Sequence, residues 1–181
     1  MRILVTYGSK RGGTAGIAEM LARDFSEQGF QADVQPATEV KSVDGYDAVV
    51  VGGALYSMFW HREARRFVKQ YAEELRSRPV WLFSSGPLDD SAARDELPPV
   101  RQVQRLMERI GALGHITFGG RLEPDAKGFI ASKMARTHAG DWREPRLIRA
   151  WARGIGDALR SQAQRLPSQP EPSPGPQDAH V

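Results

Sequence analysis

Hydrophobic and polar positions repeat with two different periods along this chain, and the two periods alternate. Short apolar or alternating runs rich in β-branched residues are typical of strands, and five of them occur, at residues 2–7, 30–35, 47–52, 79–84 and 115–119. Apolar residues at helical spacing fill four of the intervals between and after these runs, at residues 14–29, 61–78, 100–113 and 145–165. Thr14 is the expected N-cap of the first helix, and Gly29 is its expected stop.

This alternation predicts an α/β fold, a doubly wound parallel sheet of five strands with helices on both faces. The connections between the strands are expected to be right-handed crossovers. Ligands of such sheets bind beyond the carboxyl ends of the strands. Three unusual loops lie at that edge, at residues 8–13, 53–60 and 85–92, and they are the candidate parts of a binding site.

The first loop, residues 8–13, carries glycines, a hydroxyl and cations directly before a helix. A helix N-terminus presents unpaired amide groups and the positive end of its dipole to an anion. Glycine lets the backbone bend and approach a ligand closely. The loop is therefore a candidate phosphate site, and its candidate ligands are Ser9, Lys10, Arg11, Gly12, Gly13 and Thr14.

Several other phosphate-binding loops are excluded by the residues present. A Walker loop ends in Gly-Lys-Ser/Thr, whereas this one ends in GTA at residues 13–15. The dinucleotide fingerprint Gly-x-Gly-x-x-Gly is not met cleanly, and no acidic residue closes the second strand to hold a ribose. A phosphate-receiver domain needs an acidic pair after its first strand, where this chain has YGS at residues 7–9. A terminal phosphate monoester is the ligand that remains.

The pattern Ser9-x-x-Gly12-x-Thr14-x-x-x-Ala18 resembles the phosphate loop of flavodoxins, which bind flavin mononucleotide (FMN). The resemblance extends over the order and spacing of all five strands. It implies a flavodoxin-like FMN-binding domain of residues 1–166, with strand order 2-1-3-4-5 and a long insertion after the fifth strand. A proline-rich tail of residues 167–181 follows.

In flavodoxin-like proteins the other two loops contact the flavin ring system. The second loop lies against the isoalloxazine ring, and Phe59 and Trp60 are expected to form a hydrophobic plug beside it. Backbone groups of the third loop reach the pyrimidine edge. That loop contains Ser-Ser-Gly, but no hydrolase nucleophile is expected because the Gly-x-Ser-x-Gly motif is absent. The resemblance implies as further flavin contacts Ala54, Leu55, Tyr56, Ser84, Ser85, Gly86, Pro87 and Leu88.

One branch of the flavodoxin-like proteins matches further features of the chain. Residues 52–56 read GGALY, His61 opens a helix that contains RFVK at residues 66–69, and about 25 residues (120–144) separate the fifth strand from the last helix, a long connection for a compact domain. These features resemble the menaquinone-dependent protoporphyrinogen dehydrogenases. The resemblance implies an FMN-dependent, quinone-linked oxidoreductase that oxidises a porphyrinogen and passes electrons through the flavin to a membrane quinone.

The amino-acid composition excludes several other classes of function. The 181 residues contain no cysteine, which excludes disulfides, thiolate metal sites and cysteine nucleophiles, and no metal site is predicted. No apolar run approaches the length of a membrane span, and the first strand begins without a signal-peptide pattern. A cytoplasmic protein is therefore expected.

The excess positive charge is concentrated late in the sequence. Residues 1–120 contain 15 basic and 15 acidic residues, whereas residues 121–153 contain eight basic and four acidic ones. The sequence pI is about 9.4, while ordinary flavodoxins are acidic, so the charge favours an enzyme over an electron carrier. The basic segment predicts contact with an anionic ligand or with the negatively charged inner face of a membrane.

Other functions fit the same sequence features. A flavodoxin-type electron carrier and a protein that binds another flavin-like cofactor, such as a deazaflavin, share the fold. Nucleic-acid binding has no recognition motif in its favour. No catalytic acid or base is assigned: His61 is a candidate proton relay, His115 an expected structural residue, and His138 a candidate substrate contact.

The proline-rich tail generates a first testable prediction. Five prolines in residues 167–176 leave almost no apolar surface to bury, so the tail is expected to be disordered and dispensable. Truncation after Leu166 should leave the melting temperature and the flavin content of the purified protein unchanged. A drop of several degrees in a thermal melt of the truncated protein would contradict this.

Overall fold

The computed structural model describes residues 1–10, 12–122 and 140–165. Its strands are β1 (Arg2–Gly8), β2 (Gln31–Pro36), β3 (Ala48–Tyr56), β4 (Phe59–Trp60), β5 (Val80–Ser85), β6 (Gly114–Phe118), β7 (Arg121–Leu122) and β8 (Gly140–Asp141). Its helices are α1 (Gly13–Glu27), α2 (Arg62–Gln70), α3 (Ala72–Arg76), α4 (Ser91–Arg94), α5 (Arg101–Ile110) and α6 (Pro145–Arg165).

Five strands form a parallel sheet in the order β2-β1-β3-β5-β6. This is the predicted order 2-1-3-4-5, because β5 and β6 are the fourth and fifth of the predicted strands. Two short antiparallel pairs were not predicted: β4 pairs with the end of β3, and β7 pairs with β8 in a small separate ribbon. The loops that follow β1, β3 and β5 therefore lie together at the carboxyl edge of the sheet.

Each face of the sheet is covered by a different layer of helices. Leu4 of β1 packs in a core with α2, α3 and α5, whereas its neighbours Ile3 and Val5 pack in a second core with α1 and α6. Successive side chains of a strand point to opposite faces, so an uninterrupted apolar strand fills both cores at once. This arrangement explains the uninterrupted apolar runs of residues 3–5 in β1 and 48–51 in β3.

The boundaries of two predicted helices differ from the sequence pattern. The first helix starts at Gly13, and its N-cap is Gly12 with φ of 74° rather than Thr14. A glycine in the left-handed conformation makes the sharp turn between β1 and α1 without a side-chain cap. The segment 61–78 is divided near Tyr71, whose φ is −103° and whose hydroxyl donates a hydrogen bond to the carbonyl of Val40 at 3.0 Å.

His115 has the structural role that its position on a strand predicts. Its Nε2 lies 2.9 Å from the hydroxyl oxygen of Ser84 on the neighbouring strand, and Ser84 is fully buried. Burial lowers the pKa of His115 from 6.5 to about 4. The folded protein therefore keeps this imidazole neutral at pH values where an unfolded chain would protonate it.

This pKa shift predicts a pH-dependent stability. Between about pH 6.5 and 4 the unfolded state binds a proton at His115 that the folded state does not, so the free energy of unfolding falls as the pH falls through that window. The wild type should lose free energy of unfolding between pH 7 and pH 4, and replacement of His115 by Gln should reduce this loss by about 2 kcal/mol. Urea denaturation at several pH values measures this slope. A His180→Gln variant, altered in the tail, is the matched control, and equal slopes for His115→Gln and the wild type would refute the assignment.

Candidate functional site

A cavity of about 550 Å³ opens at the carboxyl edge of the sheet, a volume typical of cofactor sites. It lies where β1, β3 and β5 end, next to the ribbon of β7. The residues that line it are Ser9, Lys10, Gly13, Thr14, Ala54, Leu55, Tyr56, Ser57, Ser85, Gly86, Leu88, Gly120, Arg121 and Leu122. Ten of the fourteen residues predicted as cofactor contacts are therefore brought together around one space.

The first turn of α1 forms one end of this cavity. The first intrahelical bond runs from the amide of Gly16 to the carbonyl of Gly12 at 2.9 Å, so the amides of residues 13–15 have no partner inside the helix. No side chain caps this end, and the first turn contains no acidic residue. The cavity end therefore offers uncompensated donors and the positive end of the helix dipole.

The side chains at the same end have the chemistry of a phosphate site. Thr14 is almost fully buried, and its Oγ1 has no hydrogen-bond partner among the described residues. Ser9 contributes a second hydroxyl and Lys10 a positive charge. Orphaned buried donors next to a cation fit the oxygens of a phosphate monoester. Arg11, which was predicted to belong to this group, lies outside the described residues.

The ribbon after β6 contributes wall residues that the sequence did not identify as ligands. Its start is held by a bond from the amide of Gly120 to the carbonyl of Pro87 at 2.7 Å. The backbone of Arg121 passes so close to Gly13 that a Cβ there would stand 3.4 Å from the Arg121 amide nitrogen. Arg121 counted only as part of the basic segment in the sequence; the fold makes it part of the cavity, together with Leu122.

The second loop is a β-hairpin rather than an irregular loop. Tyr56 of β3 pairs with Phe59 of β4, and the two residues between them, Ser57 and Met58, have φ values of 48° and 67°. This is the geometry of a two-residue hairpin turn, which usually contains Asn or Gly. The hairpin places on the cavity wall Leu55 and Tyr56, the two residues that the resemblance implies as ring contacts.

The expected hydrophobic plug consists of Trp60 alone. Trp60 is 1% exposed, whereas Phe59 is 62% exposed, so the prediction for Phe59 was wrong. The reason is the antiparallel pairing of β4, which directs neighbouring side chains to opposite faces. Gly53 accommodates the indole, since a Cβ at that position would approach the Trp60 ring within 2.4 Å.

His61 lies beneath the hairpin and is not among the residues that line the cavity. Its ring centroid is 6.1 Å from that of Tyr56, and its Nδ1 is 3.7 Å from a carboxylate oxygen of Glu63. Burial lowers the pKa of His61 despite this neighbouring carboxylate. The imidazole is therefore neutral near pH 7 and supports the position of Tyr56 rather than facing the cavity.

Only some of the third-loop residues predicted as flavin contacts line the cavity. Ser85, Gly86 and Leu88 line the cavity. The amide of Gly86 is not free, because it donates to the carbonyl of Phe118 at 3.2 Å.

Three predicted contacts do not line the cavity. Gly12 supplies the left-handed turn before α1, the hydroxyl of Ser84 turns into the core towards His115, and the carbonyl of Pro87 accepts the bond from Gly120. For Ser84 the cause is full burial between neighbouring strands.

Comparison with known proteins gives a family that matches this geometry. The family model described as "Flavodoxin domain" matches residues 4–137. Protoporphyrinogen IX dehydrogenase [quinone] from Escherichia coli (strain K12) is 33% identical over 86 residues, which are 46% of this chain and 48% of that protein. The match thus spans about half the length of that relative.

Solved structures with the same fold include several flavodoxins. An archaeal flavodoxin aligns with a TM-score of 0.58 at 14% identity, over 88% of this chain and 99% of its own. Flavodoxin 2 from Bacillus cereus aligns with a TM-score of 0.55 at 17% identity, over 90% of this chain and 99% of its own. The rubredoxin oxygen:oxidoreductase of Desulfovibrio gigas aligns with a TM-score of 0.61 at 13% identity, over 90% of this chain and 37% of that protein. These likenesses show the fold.

The sheet order and the phosphate-type cavity define a doubly wound α/β protein with a candidate mononucleotide site at the carboxyl edge. The chain belongs to the flavodoxin-domain family, and this membership indicates FMN as its cofactor. Within the described residues, no group of His, Asp and Glu side chains could hold a metal ion. No helix in the described ranges has the length and apolar content to cross a bilayer.

The orphaned donors of the cavity predict a large effect of two small substitutions. Ser9→Ala combined with Thr14→Ala should weaken FMN binding by about 2–4 kcal/mol, taking about 1–2 kcal/mol for each hydrogen bond to a charged phosphate. The fold should persist, because the hydroxyl of Thr14 has no partner to lose among the described residues and Ser9 lies on the loop that lines the cavity. Titration of the apoprotein with FMN measures the affinity. Ser26→Ala with Thr38→Ala, at exposed positions that do not line the cavity, is the matched control; an unchanged affinity in the cavity variant would place the phosphate elsewhere.

Proposed function

We propose that this protein is an FMN-dependent oxidoreductase that oxidises a small carboxylated molecule of the porphyrinogen class and delivers the electrons to a quinone. The observation that carries the proposal is the ribbon after β6, which adds Gly120, Arg121 and Leu122 to the cavity wall. A soluble electron carrier needs only an exposed flavin edge, whereas a wall beyond the flavin loops gives a second molecule something to contact. The partial match to a quinone-linked protoporphyrinogen dehydrogenase supports the same assignment.

The ribbon is fixed to the rest of the site. The amide of Trp142 donates to the carbonyl of Gly120 at 2.9 Å, and a Cβ at Gly119 would collide with the carbonyl oxygen of Trp142. Asp141 and Arg143 form a further anchor, in which the Arg143 guanidinium lowers the pKa of the carboxyl group. The described part of the insertion therefore forms a positioned wall. The remainder, residues 123–139, lies outside the described residues, and so does the candidate substrate contact His138.

In this proposal each part of the cavity has its own task. Ser9, Lys10 and the first turn of α1 hold the phosphate, with Thr14 as the buried donor. Leu55 and Tyr56 bound the ring system, and the third loop from Ser85 to Leu88 approaches its pyrimidine edge. When bound, FMN supplies the redox chemistry, because it can accept two electrons from one molecule and pass them to another.

The chain itself contributes binding and exclusion of water more than proton transfer. Among the described residues that line the cavity there is no histidine, aspartate or glutamate. Lys10 and Arg121 are its positive charges, which suits a substrate that carries carboxylates. Leu55, Leu88 and Leu122 supply apolar surface. A substrate would therefore be oriented by its anionic groups and by contact with the flavin.

Contact with a membrane through residues 121–153, expected from the charge count, stays an expectation that the proposed reaction does not require. Cations of this segment have partners in the structure: Arg143 pairs with Asp141, Arg149 pairs with Asp24 at 3.0 Å, and Arg121 also takes part in an interaction. Lys127, Lys133 and Arg136 lie outside the described residues. The segment therefore has less unpaired charge, in the part described, than its composition indicates.

An anaerobic assay tests the proposed reaction. The FMN-loaded protein, mixed with protoporphyrinogen and a menaquinone analogue, should produce porphyrin fluorescence at a rate well above that of an equal concentration of free FMN. The rate should depend on both the porphyrinogen and the quinone. If no porphyrin forms while the reduced protein passes single electrons rapidly to a redox-protein partner, the protein is an electron carrier and the proposal fails.

A further inference from the structure

A second feature of the surface lies outside the cavity, on the layer formed by α2 and α5. These two helices contain seven cations and two acidic residues. Six of the cations are exposed, and their side chains have no ion pair or hydrogen bond to any described residue: Arg62, Arg66, Lys69, Arg101, Arg105 and Arg109. Elsewhere, several surface arginines of the described chain are paired with carboxylates, as Arg149 is with Asp24. The α2–α5 face is therefore an uncompensated positive surface.

The same face contains an apolar tip. Met58 and Phe59 at the end of the β3–β4 hairpin are 72% and 62% exposed. They line a groove of about 500 Å³ together with Arg65, Lys69, Arg101 and Arg105. A second groove of about 460 Å³ shares Arg65 and Lys69 with the first. Apolar side chains at a tip that is flanked by unpaired cations are the composition of a surface that enters a lipid headgroup region.

The tip is held in place from below. The amide of Trp60 donates to Oε1 of Gln102 on α5 at 3.0 Å, and the amide of His61 donates to the carbonyl of Ala54 at 2.8 Å. With Trp60 buried, the hairpin is fastened to α5 while its two apolar side chains project. Met58 keeps this position in a left-handed conformation that is unfavourable for a side chain of its kind, so exposure of the tip is built into the fold.

We infer that the α2–α5 face docks on a bilayer that contains anionic phospholipids, with Met58 and Phe59 inserted among the headgroups. The inference rests on the proposed function, because a quinone acceptor lies in the membrane. Tyr56 and Ser57 line the cavity, and their neighbours Met58 and Phe59 line the cationic groove. Docking by this face therefore brings the mouth of the flavin cavity to the bilayer surface. The apolar tip favours a lipid partner over an acidic protein, since charge alone would serve for the latter.

Sedimentation with lipid vesicles tests this inference on the FMN-loaded protein. The wild type should bind vesicles in which one lipid in three is phosphatidylglycerol, and should bind pure phosphatidylcholine vesicles much more weakly. The variant with Arg62, Arg66, Lys69 and Arg105 changed to Gln should bind the anionic vesicles roughly 100-fold more weakly. Met58→Ser with Phe59→Ser should cost about tenfold or more and should leave binding more sensitive to salt.

A charge-matched variant on the opposite layer is the control. Changing Arg23, Arg146, Arg153 and Arg165 to Gln removes the same number of charges from α1 and α6 and should retain most of the binding. Flavin content and melting temperature confirm that all variants are folded. Equal losses in the two charge variants, a larger loss in the control, or failure of the wild type to bind would overturn the inference. So would face-dependent binding to an acidic polypeptide such as polyglutamate without binding to vesicles.

The vesicle measurement involves no electron transfer and is therefore separable from the proposed activity. Turnover of the same variants with a water-soluble quinone analogue reports on the chemistry alone, and the α2–α5 variant should retain it. Vesicle binding without quinone reduction would leave the docking surface established and refute the proposed function. Quinone reduction without vesicle binding would refute the docking surface and leave the proposed function supported.

Discussion

The unpaired amides in the first turn of α1 are the constraint around which the site is arranged. A helix cannot satisfy its first donors internally, and here the fold buries that turn, with Thr14 at 1% exposure. Donors that have no partner in the helix favour an anion at this position. The absence of a side-chain cap and of acidic residues in this turn keeps the place available for a ligand.

Parallel topology explains why the other parts of the cavity reach the same place. In a parallel sheet β1, β3 and β5 all end at one edge, so the three loops that follow them must meet there. The positions of the loop residues that line the cavity depend on side chains that pack beneath the loops. Trp60 against Gly53 and His61 beneath Tyr56 set the hairpin, while Ser84 and His115 join two strands beneath the third loop. Packed side chains beneath the loops thus hold the walls of the cavity in place.

The alternation of periods in the sequence is sufficient to predict the five strands and, with the phosphate loop, the cavity end at Ser9 and Thr14. Those features follow from local pattern and from the geometry of helix ends. The hairpin could not be predicted, because Ser57 and Met58 occupy turn positions where Asn and Gly are usual, and this also explains the wrong expectation for Phe59. Arg121 lies in a strand of two residues, too short to show any period. For Ser84, a fully buried strand has no polar face to show which side chains turn inward.

The ribbon that crosses Gly13 affects how a ligand would enter and leave. A phosphate seated on the first turn of α1 would have the helix below it and the backbone of Arg121 beside it, with the Gly120–Pro87 bond holding that backbone in place. Exit would therefore require the ribbon to lift as well as the donors to be released. The lifetime of the complex would then be governed by a structural opening in addition to the strength of the individual contacts. Two proteins of this fold with the same phosphate loop could accordingly have similar equilibrium affinities and different residence times, if only one of them carried this ribbon.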